Sequence, residues 1–304
     1  MTDIELREPL GGTDMHSSAP VVGVDHADTV ARIALAVAGV GGNESVAEAI
    51  EFCGSADRFV SAVHDRSDSV FRLTQSLCDR IRALATGPNV ARVIEKTRSA
   101  QLTVLTPADP AWPTQLSSLG GRMPLLLWAS SGYRVLVSPA IAFVGSDVPT
   151  RFEKRMAIEL VTGLAAHGWT VVACEVDGLQ RLVLRSAGAM RATPIDVRAT
   201  GLTGPHSADT AACRVSEMPP GAAASAWSRR RALMIASAIA TKTIIVEAEA
   251  SRDATRLAED VREIGRPVGV LARRGPRESN AEAGHATERE RKDIASARDA
   301  DWLR

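Results

Sequence analysis

Five apolar residues, Ala140 to Val144, run straight into Gly145-Ser146-Asp147, and a second apolar segment ending at Cys174 follows one helix-length later. Between them Ala157, Leu160, Val161 and Leu164 recur at helical spacing, so the period switches from that of a buried strand to that of an amphipathic helix and back. That is the signature of a βαβ unit. Thr150 and Glu153 stand at capping-box spacing where the helix should begin. A turn that leads from a parallel strand into a helix presents unpaired N–H groups and the positive end of the helix dipole. Gly145, Ser146 and Thr150 are therefore expected to face an anion; a tight turn without a ligand is the alternative reading.

The pattern repeats. Further strands are expected at Pro194–Val197, Arg214–Glu217, Lys242–Ala248 and Pro267–Ala272, with helices at Gly178–Met190, Arg229–Ala240 and Ser251–Ile264. The alternation predicts an α/β fold: an open, mostly parallel sheet with helices on both faces. Ligands of such sheets collect outside the carboxyl ends of the strands, near the point where strand order reverses. Ser146, Glu175, Glu217 and Glu247 would share that rim.

Residues 1–25 have no apolar period and read as a flexible leader. From 26 to 100 the spacing predicts a small helical domain, interrupted at Ala38-Gly-Val-Gly-Gly42 by a turn that reads either as a helix C-cap or as a helix-hairpin-helix (SAM-like) phosphate turn. The sheet domain should occupy 101–272, and 273–304 is a charged tail. The 304 residues carry 36 basic and 36 acidic side chains, so no global field attracts a polyanion and any such site must be local. The exception is Arg229-Arg230-Arg231 on the expected rim, with Arg273 and Arg274 after the last strand. Three adjacent arginines cannot all face one way on a helix, so one or two should meet a phosphate and the others solvent.

Four scattered cysteines without a Cys-x-x-Cys pair read as reduced core residues, and six histidines show no paired ligand spacing, so neither a metal nor a cofactor is expected. Glu217 and Glu247 have no nucleophile or histidine beside them in the sequence, and His167 reads as a helix-end dipole partner rather than a base. No stretch is apolar enough to span a membrane, which points to the cytoplasm. Aromatic content of 4% argues against a base-stacking platform, leaving backbone amides and arginines for any strand recognition.

Asp109-Pro-Ala-Trp-Pro-Thr-Gln-Leu116 and Met123-Pro-Leu-Leu-Leu-Trp128 resemble the entry sequence of the DNA-processing protein A (DprA, Smf) family. Val144-Gly145-Ser146 with Thr150 and Phe152, Gly168 to Val172, Ser216-Glu217 with Pro219-Pro220-Gly221, Val246-Glu247-Ala248 and Gly265-Arg266-Pro267-Val268 follow in the family's order. The resemblance covers about residues 28–272. It implies a Rossmann-like core, non-enzymatic binding of single-stranded DNA in recombination or natural transformation and handover to a RecA-type recombinase, and a homodimer is counted among the possible partners. It also adds Gly178 to the expected nucleic-acid-binding residues. Three departures stand out. Asp147 replaces the arginine of the family's Val-Gly-Ser-Arg, Ala173–Gln180 keeps only the last glycine of the Ser-Gly-x-Ala-x-Gly-Ile-Asp segment, and Arg252–Ala258 replaces Ser-Gly-x-Leu-x-Thr-Ala. A carboxylate in such a pocket repels phosphate, so weaker binding is expected. The rival readings are a small-nucleotide binder or phosphoribohydrolase-like enzyme on a related fold, and a homologue acting through protein contacts alone.

Overall fold

The computed structural model describes residues 26–67, 71–174, 178–204, 212–246 and 252–271, with backbone alone for 252–255. The leader 1–25 and the tail 273–304 lie outside the described residues. Five helices come first: α1 (His26–Val37), α2 (Glu44–Cys53), α3 (Ala56–His64), α4 (Gln75–Leu84) and α5 (Gly87–Ser99). The Ala38–Gly42 turn begins as the C-cap of α1: Gly39 takes φ 66° and the Val40 N–H reaches back to the Leu35 carbonyl at 3.3 Å. Asn43 then caps α2 by accepting from the Val46 N–H, and Thr74 caps α4 in the same way through Leu77.

The remaining elements are β1 (Thr103–Leu105), β2 (Leu127–Ala129), β3 (Ala140–Gly145), α6 (Arg151–Ala166), β4 (Thr170–Ala173), α7 (Leu179–Ala189), β5 (Ile195–Val197), β6 (Cys213–Ser216), α8 (Ala226–Ile239), β7 (Lys242–Val246), α9 (Arg252–Glu263) and β8 (Val268–Leu271). The strands form one sheet in the order β1-β2-β6-β5-β4-β3-β7-β8. All pairs from β6 to β8 are parallel, while β1–β2 and β2–β6 are antiparallel. The fold is α/β and Rossmann-like. β1 and β2 are three residues each, too short for an alternation to register in the sequence. The 3-10 segments Thr114–Arg122 and Tyr133–Val137 flank β2.

Helices cover both faces, so β3 has no polar side and reads as an unbroken apolar run. Ala140, Ala142 and Val144 join the core beneath α8 and α9, while Ile141 and Phe143 join the core beneath α6 and α7. Sequence order reverses between β3 and its neighbours β4 and β7, which puts the end of β3, paired Gly145 to Val246, at the switch point.

β2 divides two cores. Leu127 and Ala129 pack into the sheet core, whereas Leu126 and Trp128 pack among the N-terminal helices. Trp128 is fully buried, and its Nε1–H donates to Thr97 Oγ1 at 3.0 Å, whose hydroxyl in turn donates to the Val93 carbonyl at 2.8 Å. The Arg32 guanidinium makes a second tie by donating to the Leu125 carbonyl at 3.1 Å. Replacing Thr97 by Val keeps the shape and leaves the indole N–H buried without an acceptor. The expected cost is about 1–3 kcal/mol, read as a lower urea midpoint, with Thr97→Ser close to wild type. Equal midpoints for Val and Ser would remove this hydrogen bond from the account.

Candidate functional site

The β3–α6 turn is built tightly. A Cβ on Gly145 would lie 2.2 Å from Leu179 Cδ2 and 2.9 Å from the Val246 carbonyl oxygen, so glycine is set there by close packing and not by a left-handed φ. Ser146 Oγ accepts from the Val148 N–H at 3.1 Å. The expected capping box is present: the Thr150 hydroxyl accepts from the Glu153 N–H at 3.3 Å, and Glu153, only 2% exposed, accepts from the Thr150 N–H at 2.6 Å and from its hydroxyl at 2.9 Å.

The start of α7 closes the turn from the other side. Gly178 has φ 87° and ψ −129°, and a Cβ there would sit 2.3 Å from the Asp147 carbonyl oxygen. The Leu179 N–H donates to the Ser146 carbonyl at 3.1 Å. The expectation that Gly145, Ser146, Thr150 and Gly178 hold open amides toward a phosphate is therefore corrected in part. The N–H groups of Val148, Thr150, Glu153 and Leu179 are spent within the fold, Pro149 has none, and Gly178 rests on main chain where a pyrophosphate would need room. The Asp147 side chain stands exposed at the same place.

The arginine run divides three ways. α8 starts at Ala226, capped by Ser225, so the run falls in the second turn and Trp227 lies inside the helix, not before it. Arg231 turns inward: its Nε and Nη2 donate to Glu217 Oε1 and Oε2 at 2.7 and 2.6 Å, and its Nη1 donates to the Arg122 carbonyl at 2.8 Å. A Cβ on Gly42 would come within 2.6 Å of its Cζ, and Trp227 lies 5.8 Å from it. All three guanidinium nitrogens are committed, which overturns the expected phosphate contact at Arg231. Arg230 pairs with Asp260 of α9 at 2.6 Å. Arg229 is exposed, with no ion pair among the described residues. Arg273, Arg274, Glu175 and Glu247 lie outside the described residues.

Nor do the turn and the run form one patch. Arg231 is anchored at the end of β6, three strands from β3, or roughly 14 Å at the usual strand spacing. Glu217 is the partner of Arg231. His167 Nδ1 lies 2.7 Å from the Gly163 carbonyl at the end of α6, in keeping with a helix-end role.

One polar cluster left no signal in the sequence. Asp196 in β5 is fully buried, directly across from Arg214 in β6, and accepts from Arg198 Nη1 at 3.1 Å. Burial pushes the Asp196 carboxyl up to about 8, with Arg214 pulling it back. Arg214 also donates to the Gly204 carbonyl. Ile-Asp-Val reads as a half-exposed strand because nothing local reveals that its middle residue will be buried beside Arg214. All four cysteines are free, and burial raises the Cys213 thiol to about 12, so it stays protonated. Among the described residues no helix is long and apolar enough to cross a membrane, and no group of three or more His, Cys, Asp or Glu is placed to hold a metal.

Residues 103–299 match the sequence profile of the family described as DNA recombination-mediator protein A. The chain belongs to that family. The DprA crystal structure from Streptococcus pneumoniae superposes with a TM-score of 0.66 at 17% identity, over 90% of this chain and 97% of that one. Helicobacter pylori DprA, solved for its single-stranded DNA binding mode, aligns over 58% of this chain and 84% of its own at 19% identity and a TM-score of 0.48. A molybdenum cofactor binding protein from Rippkaea orientalis aligns over 45% of this chain and 78% of its own, with 13% identity and a TM-score of 0.35. No curated protein sequence is a significant match.

Two substitutions test this geometry. Gly178→Ala forces a side chain into a glycine-only conformation against the Asp147 main chain and should cost on the order of 1–3 kcal/mol from backbone strain alone. Arg231→Met leaves Glu217 buried without its partner and should cost about 3–5 kcal/mol, while Arg229→Ala should stay within about 0.5 kcal/mol of wild type. Denaturant midpoints check both, and a tolerant Arg231 would show that the clamp is ornamental.

Proposed function

We propose that this DNA-processing family member binds single-stranded DNA along its sugar-phosphate backbone and passes it to a RecA-type recombinase in recombination or natural transformation. The observation that carries the reading is the family match, which spans the whole sheet and both ends of its rim. The closed β3–α6 turn favours it over a small-nucleotide pocket. With Gly178 against Asp147 and the Leu179 N–H already bonded, the described part of the turn offers a mononucleotide phosphate less room and fewer open amides, whereas exposed cations can still meet a strand.

The protein acts by binding rather than catalysis, in the cytoplasm, as a homodimer. Glu217 and His167 support the non-enzymatic reading, since each is held in a structural contact. The helical region 26–100 and the sheet region 101–272 work as one body because β2 belongs to the cores of both. Arg229 contributes a phosphate contact from the rim. Gly145, Ser146, Thr150 and Gly178 shape the surface from beneath, and Arg273 and Arg274 extend it.

Titrating labelled single strands of mixed sequence against salt tests the reading. Log affinity should fall linearly with log salt, by about 0.7 per phosphate contact, and should rise with strand length. Asp147→Asn should tighten binding by removing a carboxylate beside the strand. Competition by a mononucleotide, with no dependence on strand length, would replace this reading with the small-nucleotide one.

A further inference from the structure

Among the described residues, the exposed positions of α6 and α7 carry more basic than acidic side chains, although the composition is neutral and Arg181 has an interaction of its own. Arg151, Lys154 and Arg155 are exposed on α6 at i, i+3 and i+4, and Arg181 and Arg185 are exposed on α7 at i and i+4. Against these five cations the two helices expose one acid, Glu159; the other, Glu153, is buried in the capping box. α6 and α7 lie over the same sheet face and share one core, so both exposed stripes look outward on one side of the molecule. Each stripe starts at the switch-point turn, because both helices begin there. Successive cations along a stripe stand about 5–6 Å apart, and the two stripes roughly 8–10 Å apart.

We propose that this face is a track for single-stranded nucleic acid, carrying the strand outward from the rim along α6 and α7 by its phosphates. The inference rests on the strand-binding reading above and adds a surface to it. Two apolar side chains lie along the track and favour a single strand over a duplex or an acidic protein. Val148 at its head is 85% exposed, and Ile158, one turn beyond Lys154 and Arg155, is 42% exposed. Unpaired bases can rest on such side chains, while a duplex keeps its bases stacked inside. The Arg155–Glu159 pair at 2.8 Å does not block the track. Both partners are exposed, and a pair of that kind is weak enough for a phosphate to displace. Among the described residues, Asp147 is the exposed acid of the turn at the head of the track.

The test uses the full chain with two oligothymidylates, one long enough to run the length of α6 and one confined to the rim. Lys154→Ala with Arg185→Ala changes two exposed helix positions and should leave the fold intact by circular dichroism. Binding of the long strand should weaken several-fold, with a salt slope shallower by about 1.4 for two lost contacts. Binding of the short strand should be unchanged. Lys154→Glu with Arg185→Glu should exaggerate the difference. An unchanged slope for the long strand in both folded variants, with the wild type still binding, would overturn the track and leave the strand-binding reading standing. A wild type that binds neither strand would overturn both.

Discussion

A single buried guanidinium lies where the two parts of this molecule meet. Arg231 is buried with Glu217 in a two-pronged pair, donates its remaining arm to the Arg122 carbonyl, and lies directly beneath Gly42. It therefore joins α8, the loop after β6, the segment before β2 and the turn between α1 and α2. Such a charge is tolerated inside because each guanidinium nitrogen meets an acceptor; removing the carboxylate or the carbonyl would leave a desolvation cost uncompensated. Trp128 and Thr97 add a neutral pair one strand away, where Trp128 lies in register with Ser216. Together they make the helical region a wall of the sheet domain.

That commitment shapes the binding surface. With Arg231 pointing inward and Arg230 tied to α9, the rim near β6 keeps Arg229 as its outward cation from the run. The rim near β3 is closed by α7 and carries Asp147. A Rossmann-like sheet ordinarily offers a phosphate the N-terminus of a helix at its switch point. Here Gly145 and Gly178 let the helices come so close that the turn bonds to itself. In the proposed track positive charge is instead displayed on the outer helix layer, where each cation would keep its hydration until a phosphate arrives, making recognition diffuse and salt-sensitive.

The sequence by itself determined the parts of this protein that depend on neighbours a few residues away. The switch of period at Ala140 to Leu164 marked β3 and α6, Thr150 and Glu153 marked the cap, and the ordered motifs marked the family. The three-residue strands β1 and β2 left no such trace, and the start of α8 was misplaced because the Ser225–Ser228 cap lies upstream of the arginines that dominate the local sequence. Tertiary structure alone decided which arginine of three faces inward, since Glu217 and Gly42 are brought to Arg231 by sheet order and by the docking of α2. It also buried Asp196 between arginines and laid the cationic stripes of α6 and α7 side by side. Spacing along the chain sets which face a residue occupies; only long-range packing settles what that face meets.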